Sequence, residues 1–402
     1  MLAHLPSGLH FACLLSRPVL SNELCEWARD LARAGLDWDC FLNFVLQQTV
    51  FPLVSVHASQ ALSDVIPPQV RRKLRACALV SSKRSEAMAS ELVAILTLLG
   101  RAGIRAVPLK GPVLIERIWG DSRLSVCQDL DLLVRPDEAR RATEILVQRG
   151  YRPNDEYLRD FPPWKLASHS LSLLRFHELS FPICLDLETT FEYEWFQHTI
   201  PADCFWERLE RSHFRGVAVW LLPGDWNLVL VGLHALRHLF LRLHWVADVH
   251  GLARLCPRPW PKALRLAENM GVREELLLAR KVCDVILGED VVEPEATDPL
   301  VRHLAESPFW PPPSRLAEHR LQLAIRRRTR AKIAYLLSGL FRPGPADTAL
   351  RALPSRLRLA YYIIRPVRLL AKYFIALPVS AAWKFASERF QRAGSFDSKV
   401  DS

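Results

Sequence analysis

Asp129 and Asp131, in the segment Gln128-Asp-Leu-Asp-Leu-Leu-Val, are the residues whose type and spacing point most directly to chemistry. In a β-strand alternate side chains share a face, so the two carboxylates project together about 7 Å apart while Leu130, Leu132 and Val134 point into a core. Like charges on one face repel, and they lose hydration where partly buried. A divalent cation removes both penalties, and oxygen donors of this kind suit magnesium or manganese. A second alternating segment, Cys184-Leu-Asp-Leu-Glu, puts Asp186 and Glu188 on one face of another strand. Three carboxylates can hold two metals roughly 3.5–4 Å apart, one activating an attacking hydroxyl and one steadying a triphosphate. The same short patterns also occur on solvated strand faces, so the acids alone leave both readings open. Lys110-Gly111 adds a feature compatible with phosphate: glycine lets backbone amides approach an anion and lysine neutralises it. Its spacing is not that of a Walker A loop.

These residues need elements to position them. Residues 104–109 read as a short buried strand entering the Lys110-Gly111 turn, and a helix is predicted over 112–119 with proline in its first turn. Residues 129–134 read as the Asp-x-Asp strand. Pro136-Asp137-Glu138 opens a helix that Gly150 stops, and further strands are predicted at 151–153, 170–176 and 182–191. Upstream, Ser21-Asn22-Glu23 looks like a helix start. Pro67-Pro68 breaks the pattern, and a long helix over 69–99 should end at Gly100 and Gly103. Downstream, 226–255 reads as one or two helices and 262–288 as another set. An acidic, proline-containing linker at 289–299 and the run Pro311-Pro312-Pro313 mark boundaries before a basic remainder.

Val107-Pro-Leu-Lys-Gly-Pro, Gln128-Asp-Leu-Asp-Leu-Leu-Val-Arg-Pro and Arg149-Gly-Tyr together resemble the uncharacterised bacterial nucleotidyltransferase family of the DNA polymerase β-like superfamily. The resemblance extends to Leu36-Asp-Trp-Asp and Leu243-His-Trp-Val-Ala-Asp, so that it spans roughly residues 15 to 290. It implies an α+β fold: a small mixed nucleotidyltransferase sheet with flanking helices and helical N- and C-terminal regions. The expected divisions are a helical region at 1–100, the α/β core at 101–222, helices packed on it at 223–300 and a basic helical extension at 301–402. The implied activity is transfer of a nucleoside monophosphate from an NTP to an acceptor hydroxyl, with Mg2+ or Mn2+ as cofactor. Asp129, Asp131 and Asp186 match the metal-binding and catalytic carboxylates, and Lys110 and Gly111 match the nucleotide-binding loop. The chain departs from the family at two places. Asp186-Leu-Glu-Thr replaces the commoner Asp-x-His-Trp, and Ser125 stands where an arginine is expected, with Arg123 two residues earlier. Both departures leave room for a catalytically degenerate module that binds a nucleotide or a partner protein. Glu188, Arg123 and Asp248 are additional candidates at the site.

The remaining features fit this frame. A formal charge of +10 over 402 residues and a pI near 9.3 favour anionic partners. Nine scattered cysteines without a Cys-x-x-Cys pair fit a reducing cytoplasm. The N-terminus lacks the charged start of a signal peptide, and no apolar stretch has the length of a membrane span. The expected location is the cytoplasm, with peripheral contact at the inner membrane as an option for the basic C-terminal tail. His234-x-x-x-His238 has the spacing of a zinc pair, but it also suits helix packing or substrate positioning. Cys127 reads as a buried thiol. The acceptor (small molecule, peptide, protein or nucleic acid) and the base preference are not encoded in any of these motifs.

Overall fold

In the computed structural model the described residues are 7–153, 170–178, 180–190, 203–255, 258–288, 298–306, 313–341 and 355–372, together with 343, 347 and 353. The chain divides into two compact units, one of residues 1–155 and 162–331 and one of residues 332–402 with 156–161.

The first unit opens with α1 (Ser7–Leu15), α2 (Asn22–Arg33), α3 (Trp38–Gln47), α4 (Phe51–Gln60) and the long α5 (Pro68–Arg101). The predicted start at Ser21 is a side-chain cap, its hydroxyl accepting from the Leu24 amide at 3.2 Å. The break at Pro67 and the stop at Gly103, where φ is +74°, stand as expected, whereas Gly100 lies within the last turn of α5. Then follow β1 (Val107–Pro108), α6 (Pro112–Trp119), β2 (Asp129–Leu133), α7 (Ala139–Gln148), β3 (Arg152–Pro153), β4 (Ser170–Phe176) and β5 (Pro182–Glu188). After α8 (Asp203–Trp206) come β6 (Glu210–Phe214), β7 (Val217–Leu221), α9 (Gly224–Arg237), α10 (Leu243–Arg254), α11 (Pro259–Asn269) and α12 (Arg273–Leu287). The first unit ends with α13 (Pro299–Glu306), α14 (Arg315–Ala324) and the start of α15 (Thr329–Phe341).

Five strands form one mixed sheet in the order β1-β2-β5-β4-β3. β2 and β5 are parallel, and the other pairings are antiparallel. The predicted alternation sets the two faces. Leu130 and Leu132 on β2, Leu185 and Leu187 on β5, and Leu171 and Leu173 on β4 are all buried. Burial of each such side chain stabilises the fold by roughly 1.5–3 kcal/mol, so this face fixes which way the acids must point. A mixed α+β architecture, with helices flanking a small sheet, is what the structure has.

Behind the sheet, Glu91 on α5 acts as a tie. Arg149 grips its carboxylate with two bonds (2.8 and 2.7 Å), Arg175 adds one at 2.8 Å and the Tyr151 hydroxyl donates a fourth at 3.1 Å. The Arg149-Gly-Tyr motif therefore locks the end of α7 onto the long helix, and Arg175 does the same for the strand β4.

Four details differ from the sequence reading. The strand predicted over 104–109 shrinks to Val107–Pro108 because β1 sits at the sheet edge and only these residues pair with β2. The acids Asp137 and Glu138 precede the first turn of α7 and do not lie within it. The hairpin β6–β7 was not expected. Its two-residue turn holds Arg215 at φ +48° and Gly216 at φ +82°, the left-handed pair that a tight hairpin needs. The fourth difference lies between α9 and α10, where the chain turns on two consecutive left-handed residues, Leu239 (φ +56°) and Phe240 (φ +50°), both fully buried. Packing holds this costly backbone, and the corner returns α10 alongside α9.

The second unit contains most of α15, a 3-10 turn at Ser355–Ala360 and α16 (Tyr361–Leu370). α16 runs through Pro366, although proline removes a helical hydrogen bond. The linker residues 289–297, Pro311, Pro312, Phe191 and everything beyond 372 lie outside the described residues. No helix among the described residues is long and apolar enough to cross a membrane.

Candidate functional site

The parallel register of β2 and β5 builds the site. Asp131 lies directly opposite Asp186, Asp129 opposite Cys184, and Leu133 opposite Glu188. The acids therefore occupy three adjacent cross-strand rows on one face, with Ser172 of β4 continuing the central row. Asp131 is the most enclosed of them at 3% exposure, and its Oδ2 is buried with no hydrogen-bond partner. Its Oδ1 meets Lys110 Nζ at 2.9 Å.

Lys110 reaches this position because its backbone turns sharply at the next residue. Gly111 has φ +73°, a region that side-chain-bearing residues avoid, and a Cβ there would meet Cys127 Sγ at 3.4 Å and the Asp129 carbonyl at 3.5 Å. The turn then feeds α6, whose second turn begins with Ile115 N donating to Gly111 O at 3.0 Å. Cys127 donates its thiol to the Asp129 carbonyl at 3.0 Å, and burial holds that thiol above its ordinary range. It braces the strand and is no nucleophile.

The electrostatics follow from Lys110 facing several anions. Burial and the neighbouring Asp131 push Asp129 up to about 6, against the pull of Lys110. Asp186 is also raised, by burial first, against its hydrogen bond with Ser172, with Asp131 adding to the rise. Burial works against the Lys110 ammonium, but Asp131, Glu188 and Asp129 outweigh it and hold the lysine charged. Beyond it, His234 Nδ1 lies 3.4 Å from Lys110 Nζ. Burial and the lysine charge push this imidazole well below its usual range, so it is neutral. An ammonium has no lone pair, so Nδ1 accepts and the ring proton sits on Nε2.

A pocket of about 230 Å³ opens beside Asp129 and the Lys110-Gly111 turn, closed by α6, α9 and α10. Its far wall carries His238, Trp245 and Asp248. The His238 and Trp245 rings stack 4.8 Å apart, and burial lowers His238 to about 4. Asp248 accepts from Trp119 Nε1 at 3.3 Å, yet burial raises it to about 7, so it shares a proton at neutral pH. The wall is thus aromatic with Arg242 beside it as a cation, whereas the acids and Lys110 gather at the other side.

The sequence candidates distribute as follows. Asp129, Asp131, Asp186, Glu188, Lys110 and Gly111 are brought together, and Asp248 lines the adjoining pocket. Arg123 is committed elsewhere: its guanidinium clasps Asp121 at 2.7–3.0 Å, and its side chain is 58% exposed. His234 and His238 were singled out for metal-pair spacing, and the structure places them against Lys110 and in the pocket wall. Arg237 on the same helix was missed. Its charge acts to lower Asp186, and its position three residues after His234 is the signal that places it toward the acids. Arg84 was also missed; it donates to the Gln128 carbonyl at 3.3 Å, next to the Asp-x-Asp strand. Among the described residues, no group of three or more His, Cys, Asp or Glu side chains is placed so that it could hold a metal ion.

No curated protein matches the chain. A family model described as an uncharacterised nucleotidyltransferase matches residues 34–288. That match takes in α3 through α12, and so contains the acid rows, the Lys110-Gly111 turn and the pocket. It covers well over half of the sequence, and the chain belongs to the uncharacterised nucleotidyltransferase family.

Proposed function

We propose that this chain is a metal-dependent nucleotidyltransferase that moves a nucleoside monophosphate from an NTP to a hydroxyl of an acceptor. The observation that carries the reading is the direct pairing of Asp131 with Asp186 across parallel strands, with Asp129 and Glu188 in the flanking rows. The donor chemistry suits a hard divalent cation: it is all oxygen, one buried oxygen of Asp131 has no partner, and two neighbouring carboxyls are pushed up by burial and by the adjacent Asp131, although the three side chains are not gathered as a ligand set. Asp129, Asp131 and Asp186 would hold Mg2+ or Mn2+, which supplies charge for the triphosphate and for the attacking oxygen.

The protein groups divide the remaining work. Asp186, a carboxylate kept basic by its surroundings, takes the proton of the acceptor hydroxyl. The acceptor oxygen bonds to the α-phosphorus, the bond from that phosphorus to the bridging oxygen breaks, and pyrophosphate leaves. Lys110 and the backbone at Gly111 face the phosphates and offset their charge. The pocket with His238, Trp245 and Asp248 holds a ring-bearing part of a substrate away from water.

One observation favours a second reading, a binding module without turnover. Lys110 already satisfies one oxygen of Asp131 from within the chain, as a cation would. The two readings separate by calorimetry with magnesium and each NTP on wild type, Asp131→Asn and Asp186→Asn, followed by pyrophosphate release with cell extract as the acceptor source. The enzyme reading expects metal-dependent NTP binding in wild type, weakened by Asp131→Asn. It also expects turnover that Asp186→Asn lowers by about 10²-fold or more. Metal-dependent binding without turnover supports the module. Binding identical in all three proteins, with or without magnesium, removes the three-carboxylate site altogether.

A further inference from the structure

The second unit wears its polarity reversed. Along α16, Tyr361, Arg365 and Arg368 recur at helical spacing and face inward. Tyr361 is buried, and its hydroxyl accepts from the Leu353 amide at 2.9 Å. Arg365 and Arg368 both pair with Asp347, which is wholly buried, and Arg365 donates twice to the Gly339 carbonyl of α15 at 3.1 and 2.9 Å. The opposite side of α16 is apolar and open: Ile363 is 70% exposed, Val367 59% and Leu370 54%. α15 repeats the arrangement, with Ile333, Leu336, Leu337 and Leu340 exposed along one side. A helix bathed only in water turns the other way, with its apolar stripe inward.

Charge says what such a surface meets. Between Lys332 and Lys372, within this unit, the sequence has eight Lys and Arg residues against the single acid Asp347, which Arg365 and Arg368 already pair. A second copy of the same surface would bring two such excesses together and be repelled, whereas lipid phosphates would neutralise them. Neither helix has the length to cross a bilayer; at 13 and 10 residues they suit lying in the interface.

We propose that α15 and α16 form a peripheral docking surface for an anionic lipid bilayer, inserting Ile333, Leu336, Leu337, Ile363 and Val367 among the acyl chains while the basic excess of this unit meets the lipid phosphates. The surface lies outside the matched family region and is independent of nucleotide transfer. The full-length protein is floated with vesicles of phosphatidylcholine alone, or of phosphatidylcholine and phosphatidylglycerol in equal parts. Wild type should float with the anionic vesicles only and be released by high salt, a comparison that needs no variant. The triple variant Leu337→Asp/Ile363→Asp/Val367→Asp should lose about tenfold in bound fraction with an unchanged thermal transition. Failure of wild type to float with anionic vesicles, or equal flotation with neutral ones, overturns the proposal. Self-association in lipid-free solution that the variant abolishes, without flotation, assigns the surface to a second copy instead.

Discussion

Two clusters of carboxylate and cation lie on opposite sides of the same sheet region, and their balance is inverted. Around Glu91 one carboxylate receives two arginines and a tyrosine hydroxyl, and both of its oxygens are bonded. Around Asp131 the anions outnumber the cation, Lys110 alone meets the central carboxylate, and one oxygen is left over. The first cluster is complete as the chain folds. The second keeps one buried oxygen without a partner, which is the condition of a binding site.

The titration behaviour states the same contrast with opposite signs. Glu91 is lowered overall, its arginine partners outweighing the cost of burial. A lowered carboxyl adds stability above its unfolded value and loses it as the pH falls through the folded one. Asp129 is raised to about 6. Its contribution is most favourable below the usual aspartate value and is lost as the pH rises toward 6 and beyond.

The largest expected effect breaks the complete cluster. Glu91→Gln strands two arginines in a part-buried site and should cost about 3–5 kcal/mol in urea unfolding at neutral pH. The gap should narrow on acidification as wild type loses its own carboxylate. A loss below about 1 kcal/mol would mean that the tie is ornamental. A smaller effect, of reverse sign, sharpens the other side. Asp129→Asn should raise the stability of the metal-free protein by about 1–2 kcal/mol at pH 7, a figure discounted for partial exposure. That gain should vanish near pH 4. Thermal melts in chelator across this range measure it, and destabilisation at pH 7 would contradict the like-charge account. The smallest effect belongs to Arg123→Ala, whose exposed pair with Asp121 should be worth no more than about 0.5 kcal/mol. NTP affinity should not change, and a marked loss in calorimetry would return Arg123 to the site.

Much of this was legible in the residues. Ser21 announces α2, Pro112 and Gly120 bracket α6, and the alternation of acids with leucines in β2 and β5 separates the functional face from the core. What was not legible is long-range. The grouping of Asp186 with Asp129 and Asp131 was expected, but not the row that sets it opposite Asp131, because a parallel pairing is set by the whole crossover between the strands. Glu91 is one acid in a long helix and gains its meaning only from Arg149, Arg175 and Tyr151. The β6–β7 hairpin was hidden because Glu210-Arg-Ser-His-Phe carries no apolar alternation, and arginine is an unusual occupant of a left-handed turn. His234 was visible by spacing, but its partner Lys110 lies on a different element.

The leucines behind β5 carry a further consequence. Side chains on a strand alternate, so a slip of one residue in the pairing with β2 would exchange the two faces. Leu185 and Leu187 would be thrust among the acids, and Asp186 and Glu188 would enter a dry core. Leu185 and Leu187 thus act as proofreaders of the face: they exclude every odd slip, and only a slip of two residues, which would carry Asp186 opposite Asp129 or Leu133, escapes them.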